Sequence, residues 1–470
     1  MQSTARTKPA GWRLRSGEKR SILLIGDLLF AFLALAVALY LWSLRDQWSI
    51  TFWRERVTAW YYLLPFGWLF LLLNLHDPHR ASNLGITVRG IGIAALTGLI
   101  FYAVIYLAVA GNQARIGVAF FLACAAVLTL FWRLVYIRIF TASAFLRRVL
   151  ILGAGKAGQT LVQVYKELQP SPFYVVGFID DDPAKASSQL EGYPVLSTSD
   201  NLLDIIDKED ITDLMIAVTG EMRGDAFQAV LDAQECGVEI VLMPTLYEEL
   251  MGRVPIHHLE SEWLIRSFVD QARVGGFYEA EKRVFDIIFG LVGLGICIAI
   301  FPFVVLLILI GSGAPVLYKQ IRSGKGGKPY LVYKFRTMRQ DAEKDGKAQL
   351  TQEKDDRITL FGNFLRRTHI DEFPQFWNVL RGEMSLVGPR SERPEWIAEF
   401  QKQIPFYRAR LLVKPGITGW AQVNYSYYAT VEEMAIKLEY DLYYIKHRNL
   451  LMDISITLRT LWQVVGLRGR

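Results

Sequence analysis

The stretch IIFGLVGLGICIAIFPFVVLLILIGSGAPVLY, residues 287–318, decides how the rest of the chain is arranged. It carries no charged residue and exceeds the roughly 20 apolar residues that a bilayer-crossing helix needs. A straight crossing would place everything after Tyr318 across the membrane from whatever precedes Ile287. Pro302 sits near the middle, where proline removes a backbone donor and kinks a helix. Each limb is then too short to span, so the pattern predicts a helix–break–helix element that enters and leaves one leaflet. A kinked fifth span is the alternative.

Upstream, four further runs reach spanning length: Ser21–Leu44, Val57–Leu75, Gly90–Ala110 and Ile116–Tyr136. The leader carries Arg6, Lys8, Arg13, Arg15, Lys19 and Arg20 against Glu18, and Arg138, Arg147 and Arg148 follow the fourth run. An excess of Lys and Arg marks the cytoplasmic side, so both ends of this bundle are expected there. Arg45, Arg54 and Arg56, on the expected outer side, weaken that bias. The first run is longer than a signal-peptide core and no small-residue cleavage site follows, which predicts an uncleaved anchor. Asp27 lies inside it without a second intramembrane acid, and reads as a polar helix contact rather than a transport site.

The averages agree. A chain of 470 residues is too long for one compact domain. With 52% hydrophobic and 21% charged residues and a mean hydropathy of +0.23, it is neither disordered nor fibrous, and such values are out of place in an ordinary soluble enzyme. The net charge of +6 comes from 52 basic and 46 acidic residues, too balanced for a nucleic-acid binder. Cys124, Cys236 and Cys297 form neither a disulfide framework nor a metal-ligand spacing, and are expected to pack as small hydrophobes.

Residues 147–245 alternate strand and helix patterns, with strands at Arg148–Gly153, Tyr174–Asp180, Leu214–Val218 and Val238–Met243 and helices at Gln159–Leu168 and Asp225–Cys236. This is the pattern of a doubly wound α/β unit. Gly153-Ala-Gly155-Lys-Ala-Gly158 joins the first strand to its helix, and Asp180 ends the second strand. That is the dinucleotide fingerprint in its required context: glycines admit a pyrophosphate at a helix N-terminus and the acid reaches a ribose. A scaffold whose glycines serve only turn and packing is the alternative. The helical Tyr-x-x-x-Lys pair of a sugar-nucleotide dehydratase is missing from this unit; that spacing recurs only at Tyr278/Lys282 and Tyr330/Lys334.

Chemistry concentrates further on. Val316–Gln320 and Tyr330–Phe335 read as strands flanking a glycine- and lysine-rich turn, and Lys334-Phe-Arg336-Thr-Met338 places two cations at a strand end. In LRRTHIDEFPQFWNVL, residues 365–380, Pro374 is tolerated only in a first turn, which predicts a helix from about Asp371. Phe373, Phe376, Trp377 and Leu380 would give that helix a buried face. Asp371 then sits at a helix N-terminus, with Arg366 and Arg367 upstream bearing forks suited to phosphate oxygens. An ordinary capping aspartate is the alternative. Gly388-Pro-Arg390 and Lys414–Asn424 add rigid turns beside cations, and Tyr440–Val465 reads as an aromatic closing helix.

Lys282-Arg-Val-Phe-Asp286, Lys334–Met338, Thr368–Gly382 with its Asp-Glu pair, Met384–Arg390 and Lys414–Asn424, in that order, resemble the bacterial sugar transferases, the monotopic phosphoglycosyl transferases that initiate exopolysaccharide or O-antigen assembly. The four spans and the Rossmann-like unit resemble the large form of that family. Phe301-Pro302 stands where the family often has Ser-Pro. The resemblance implies a multi-domain membrane protein: a basic leader at 1–20, a four-helix transmembrane bundle at 21–140, a Rossmann-like α/β domain at 146–245, a linker at 246–278, a re-entrant broken membrane helix at 279–318 and an α+β catalytic domain at 319–470. It implies transfer of hexose 1-phosphate, glucose above galactose, from a UDP-sugar to undecaprenyl phosphate, with UMP leaving and Mg²⁺ required. Asp371 would match the nucleophile, Glu372 its dyad partner, both near the metal, and Arg366 the lipid-phosphate arginine. Lys334, Arg336 and Arg390 would lie at the phosphates. Gly153, Gly155, Gly158 and Asp180 would hold a regulatory nucleotide. The expected setting is the bacterial inner membrane, with soluble domains in the cytoplasm, no nucleic-acid partner and a homodimer.

Overall fold

The computed structural model describes residues 16–45, 57–76, 81–108, 115–140, 146–168, 170–220, 222–259, 276–339, 357–425 and 430–465. The leader up to Arg15 lies outside the described residues. The chain divides into two compact units, residues 1–243 and 244–470.

The first unit opens with α1 (Ser16–Arg45), short α2 (Leu64–Leu71), α3 (Leu84–Ala108) and α4 (Arg115–Phe140). The run at 57–75 does not form the long span expected of it. Pro65 lacks an N–H and seats in the first turn of α2, and 3₁₀ turns at Ala59–Leu63 and Leu73–Leu75 flank that helix. Close approach at Gly26 brings Trp132 of α4 onto α1, where Phe30 stacks on the same indole. Asp27 is a helix contact, as expected, but it is ion-paired: Arg133 Nε donates to it at 3.2 Å and His76 Nε2 lies 3.1 Å away, all three buried.

The α/β part forms a sheet ordered β3-β4-β2-β1-β5-β6, comprising β1 (Arg148–Leu152), β2 (Tyr174–Ile179), β3 (Gln189–Leu190), β4 (Tyr193–Ser197), β5 (Asp213–Ile216) and β6 (Glu239–Leu242). All pairings are parallel except β3 with β4, a hairpin the sequence reading did not include. The order reverses at β1, the switch point of a doubly wound sheet. Helices α5 (Lys156–Glu167), α6 (Leu202–Lys208) and α7 (Gly224–Glu235) connect the strands.

The second unit takes in α8 (Met243–Met251) from Pro244 onward. Half of the expected linker is therefore folded: Val254 and Ile256 join its core, and Glu248 accepts from Lys446 Nζ at 2.8 Å. Residues 260–275 lie outside the described residues. Helix α9 (Gly276–Ser312) follows, continuous through Pro302, so the expected break is not an interruption of the helix. A single proline removes one bond of the ladder, and its neighbours keep theirs. Its 37 residues extend about 55 Å at 1.5 Å each. Among the described residues four helices are long and apolar enough to cross a membrane: α1, α3, α4 and α9.

One face of α9 packs along the whole unit. Asp286 accepts from Ser385 Oγ and the Leu386 N–H, Gly290 and Gly293 admit Leu380 and Phe376, and Val304 and Ile308 meet Phe335 and Leu365. Ile288, Leu291, Val292, Ile298, Phe303, Leu306 and Ile310 are exposed on it. The remainder comprises the antiparallel pair β7 (Leu317–Ser323) and β8 (Pro329–Phe335), α10 (Leu360–Arg367), α11 (Gln375–Arg381), the parallel pair β9 (Ser385–Val387) and β10 (Gly416–Thr418), α12 (Pro394–Gln403), α13 (Trp420–Asn424), α14 (Val431–His447) and α15 (Leu450–Val465). The glycine-rich turn is the β7–β8 hairpin that the sequence favoured.

Candidate active site

Three local devices bring the cations to the acidic pair. The β7–β8 hairpin carries Lys334 at the penultimate position of β8. Helix α10, capped by Thr359 Oγ1 on the Gly362 N–H, lies so close to Thr337 that a Cβ at Gly362 would sit 2.0 Å from its carbonyl oxygen. The helix ends at Thr368, and His369 turns the chain in the left-handed region at φ 56°. Ile370–Glu372 then form a 3₁₀ turn, and α11 starts only at Gln375. The helix expected from Asp371 is thus shorter: Pro374 precedes it and, among the described residues, Asp371 caps no helix. Trp377 is also outside the expected buried face, at 49% exposure, because Asn378 turns toward β8 and donates to the Leu331 carbonyl at 2.7 Å.

Glu372 is held by two cations. Its Oε1 accepts from Lys334 Nζ at 2.7 Å and from Arg390 Nη2 at 3.1 Å. Burial pulls its pKa up, but those two cations hold it well below the ordinary carboxylate range. Asp371 is different. It is buried, and among the described residues no donor binds its carboxylate. Burial first, and then the Glu372 charge, raise its pKa to about 6, against the opposing pull of Lys334, Arg366 and Arg390. Arg366 Nε donates to Thr337 Oγ1 at 3.0 Å, which orients its guanidinium beside this carboxylate.

Lys334, Arg366, Asp371, Glu372 and Arg390 therefore converge. Arg336 does not join them: its Nη2 donates to the Ser312 carbonyl at 2.9 Å and to the Gly313 carbonyl, tying down the C-terminal end of α9. A helix C-terminus leaves carbonyls without partners, and a guanidinium satisfies several. Two residues escaped the sequence reading. His369 lies against Glu372, with burial pushing its imidazole below the ordinary value. Gln375 is buried with its Nε2 unpartnered, four residues beyond Asp371, a spacing that would have singled it out.

Among the described residues no group of three or more His, Cys, Asp or Glu side chains is arranged to hold a metal. Two adjacent carboxylates, one without a donor, suit a hard cation that completes its shell with phosphate oxygens and water, as magnesium does.

In the first unit, Gly153 has φ 111°, and a Cβ at Gly158 would sit 2.2 Å from the Gly153 oxygen, so both glycines serve turn and close packing. Gly155 opens to space. Asp180 accepts from the Ala154 N–H at 2.7 Å, from the Asp182 N–H and from Lys185 Nζ, so it braces the loop. Tyr278 and Lys282 do share a helix face, but both reach Asp453 of α15, at 3.1 and 2.8 Å.

Residues 277–467 match the family model of bacterial sugar transferases, and residues 72–244 that of a CoA-binding domain. The chain is 36% identical over 263 residues to the UDP-N-acetylgalactosamine-undecaprenyl-phosphate N-acetylgalactosaminephosphotransferase of Aeromonas hydrophila, covering 55% of this chain and 61% of that one. It is 32% identical over 294 residues to the UDP-glucose:undecaprenyl-phosphate glucose-1-phosphate transferase of Xanthomonas campestris pv. campestris, with 60% and 58% covered. A protein of that same name in Escherichia coli (strain K12) is 31% identical over 331 residues, 67% of each chain. The chain thus spans about three fifths of the length of the first two of these relatives. Its long apolar helices make it a membrane protein, and with the acidic pair, its cations and α9 all inside the matched segment, the chain belongs to the bacterial sugar transferase family.

Proposed function

We propose that this protein transfers hexose 1-phosphate from a UDP-sugar to undecaprenyl phosphate at the cytoplasmic face of the bacterial inner membrane, through a phosphosugar ester on Asp371. The observation that carries this reading is the contrast within the pair: Glu372 is neutralised by two cations, while Asp371 is buried without a donor. A carboxylate with a pKa of about 6 is still mostly ionised at neutral pH and more basic than an ordinary aspartate, as a nucleophile should be.

In the first half-reaction an Asp371 oxygen attacks the phosphorus that bears the sugar. The bond from that phosphorus to the bridging oxygen of the diphosphate breaks, and UMP leaves with the bonding electrons. In the second, a phosphate oxygen of the lipid attacks the same phosphorus and displaces the Asp371 carboxylate. Lys334 and Arg390 face the donor phosphates while holding Glu372, and Arg366 receives the phosphate of the lipid. Such transfers depend on alignment and charge neutralisation more than on proton transfer. Asp371 and Glu372, with the donor's phosphates, would hold Mg²⁺, which supplies further neutralisation when bound.

The packing of α9 supports a re-entrant placement. Contacts with one folded domain at residues 286, 290, 293, 304 and 308 leave no length of helix free to cross a bilayer away from that domain. Both helix ends then lie on one side, which sets the site at the level of lipid headgroups. Glucose is the expected sugar, and the named relatives also include an N-acetylgalactosamine enzyme. Purified protein given undecaprenyl phosphate and a panel of UDP-sugars should release UMP with one donor preferred; release of UDP would signal glycosyl transfer and overturn the reading.

A further inference from the structure

A second group of cations lies in the same unit, at the other end of α11 from the acidic pair. Asp371 precedes the first turn of that helix, whereas Arg283 Nη1 and Nη2 donate to the carbonyls of Val379 and Leu380 in its last turn, at 2.8 and 2.7 Å. Seven helical residues separate the two ends by about 10 Å. Here Lys282, Arg283, Lys325, Lys414 and Arg448 line a recess with only two carboxylates, Glu279 and Asp286. The recess holds about 420 Å³ of non-protein space, its open mouth included.

The paired and unpaired charges can be sorted. Lys282 is neutralised by Asp453 at 2.8 Å, Arg283 caps α11, and Asp286 accepts from Ser385 and Leu386. Arg448 is not satisfied. It is 9% exposed, its Nη2 lies 4.0 Å from Glu279, and its buried Nε and Nη1 have no hydrogen-bond partner. Among the described residues neither Lys414 nor Lys325 has a carboxylate in ion-pair contact. Burial first, and then the Arg283 charge, push the Lys414 ammonium below its ordinary value, against the opposing pull of Asp286 and Glu279. Buried guanidinium N–H groups without partners are destabilising unless an acceptor reaches them.

We propose that this recess is a phosphate-binding site, separate from the Asp371 pair, in which Lys414 and Lys325 close on the phosphate oxygens beside the under-paired guanidinium of Arg448. A guanidinium and two ammoniums on four-carbon stems offer donors to several phosphate oxygens and tolerate a range of phosphate substituents. The site does not depend on the transferase reading. It opens at the start of α9, where Phe277 is 78% and Val284 57% exposed, so the phosphate is supplied either by an anionic lipid headgroup or by a soluble phosphate.

The test titrates the full chain with inorganic phosphate by thermal shift, first in neutral detergent and then in nanodiscs of phosphatidylcholine with or without phosphatidylglycerol. In detergent, Lys414→Gln with Lys325→Gln weakens phosphate binding at least tenfold, and Arg448→Met, if it folds, does the same. Arg390→Gln leaves this binding in place. In nanodiscs, competition by phosphatidylglycerol identifies a lipid ligand, and undiminished phosphate binding identifies a soluble one. Phosphate binding that survives the lysine double variant and disappears in Arg390→Gln would overturn the proposal, because all of it would then belong to the Asp371 site.

Discussion

Two buried charge clusters stand in the same unit and have opposite characters. In one, Glu392 accepts from Lys437 Nζ at 2.8 Å and faces Arg410 and Arg322 at 3.6 and 3.8 Å, while Asp441 accepts from Arg410 Nη2 at 2.8 Å. Each carboxylate has a cation in contact, and although burial works against the charge, Lys437 and Arg410 hold Glu392 down to about 2. In the other, Lys334 and Arg390 both converge on one oxygen of Glu372, leaving Asp371 with charge nearby and no donor. The same ingredients thus make a brace where each carboxylate is paired and, on the function proposed above, a reactive group where pairing is withheld. The two are joined: Arg410 Nη2 also donates to the Arg390 carbonyl at 3.1 Å, so the brace holds the loop that carries a site cation.

The comparison can be broken at either cluster. Asp371→Asn should lower transfer by on the order of 10⁴-fold while melting no earlier than the parent, since it removes a buried charge rather than a pair. Asp441→Asn should do the reverse, costing about 3–5 kcal/mol because Arg410 loses its partner, seen as a melting point lower by roughly 6–15 °C. An Asp441→Asn protein that melts like the parent would deny the brace. Glu372→Gln should fall between them, with transfer down by about 10²-fold as Lys334 and Arg390 lose their anchor, measured under saturating donor.

The smallest change is in pH. Attack needs the Asp371 anion, so transfer should fall about tenfold per unit below pH 6. Stability runs differently. The depressed pKa of Glu392 makes its contribution full above its unfolded value near 4.5, lost only as pH falls toward about 2. The raised pKa of Asp371 has the other sign, since its ionisation costs stability as pH rises from 3.8 to about 6. Between pH 6 and 4.5 activity should therefore drop while far-UV circular dichroism holds and the melting temperature stays level or rises, as Asp371 takes up its proton.

Much of this contrast was legible in the sequence. The Asp-Glu pair before Pro374, Arg366 just upstream and the strand-end Lys334 were singled out by residue type alone, and the fold brings them into one cluster. The doubly wound sheet was legible too, since strand and helix periods differ. What escaped depended on distant contacts. Arg336 shares a motif with Lys334, yet it lies just past the end of β8 and meets Ser312, 24 positions earlier. The pairing of Asp27 with Arg133 spans 106 positions, and no local pattern records it. The short α2 and the unbroken α9 were misjudged for one reason: apolar length and one proline decide little without knowledge of what packs beside them.

The central claim is that Asp371 is kept without a donor so that it can form a bond. Intact mass spectrometry of the purified full chain, mixed with the preferred UDP-sugar and Mg²⁺ without lipid, tests it most directly. The account predicts a mass increase of one hexose phosphate, mapped to the peptide containing Asp371, that disappears when undecaprenyl phosphate is added and is absent from Asp371→Asn. Full transfer activity with no adduct in the absence of lipid, or an adduct that persists in Asp371→Asn, would contradict it.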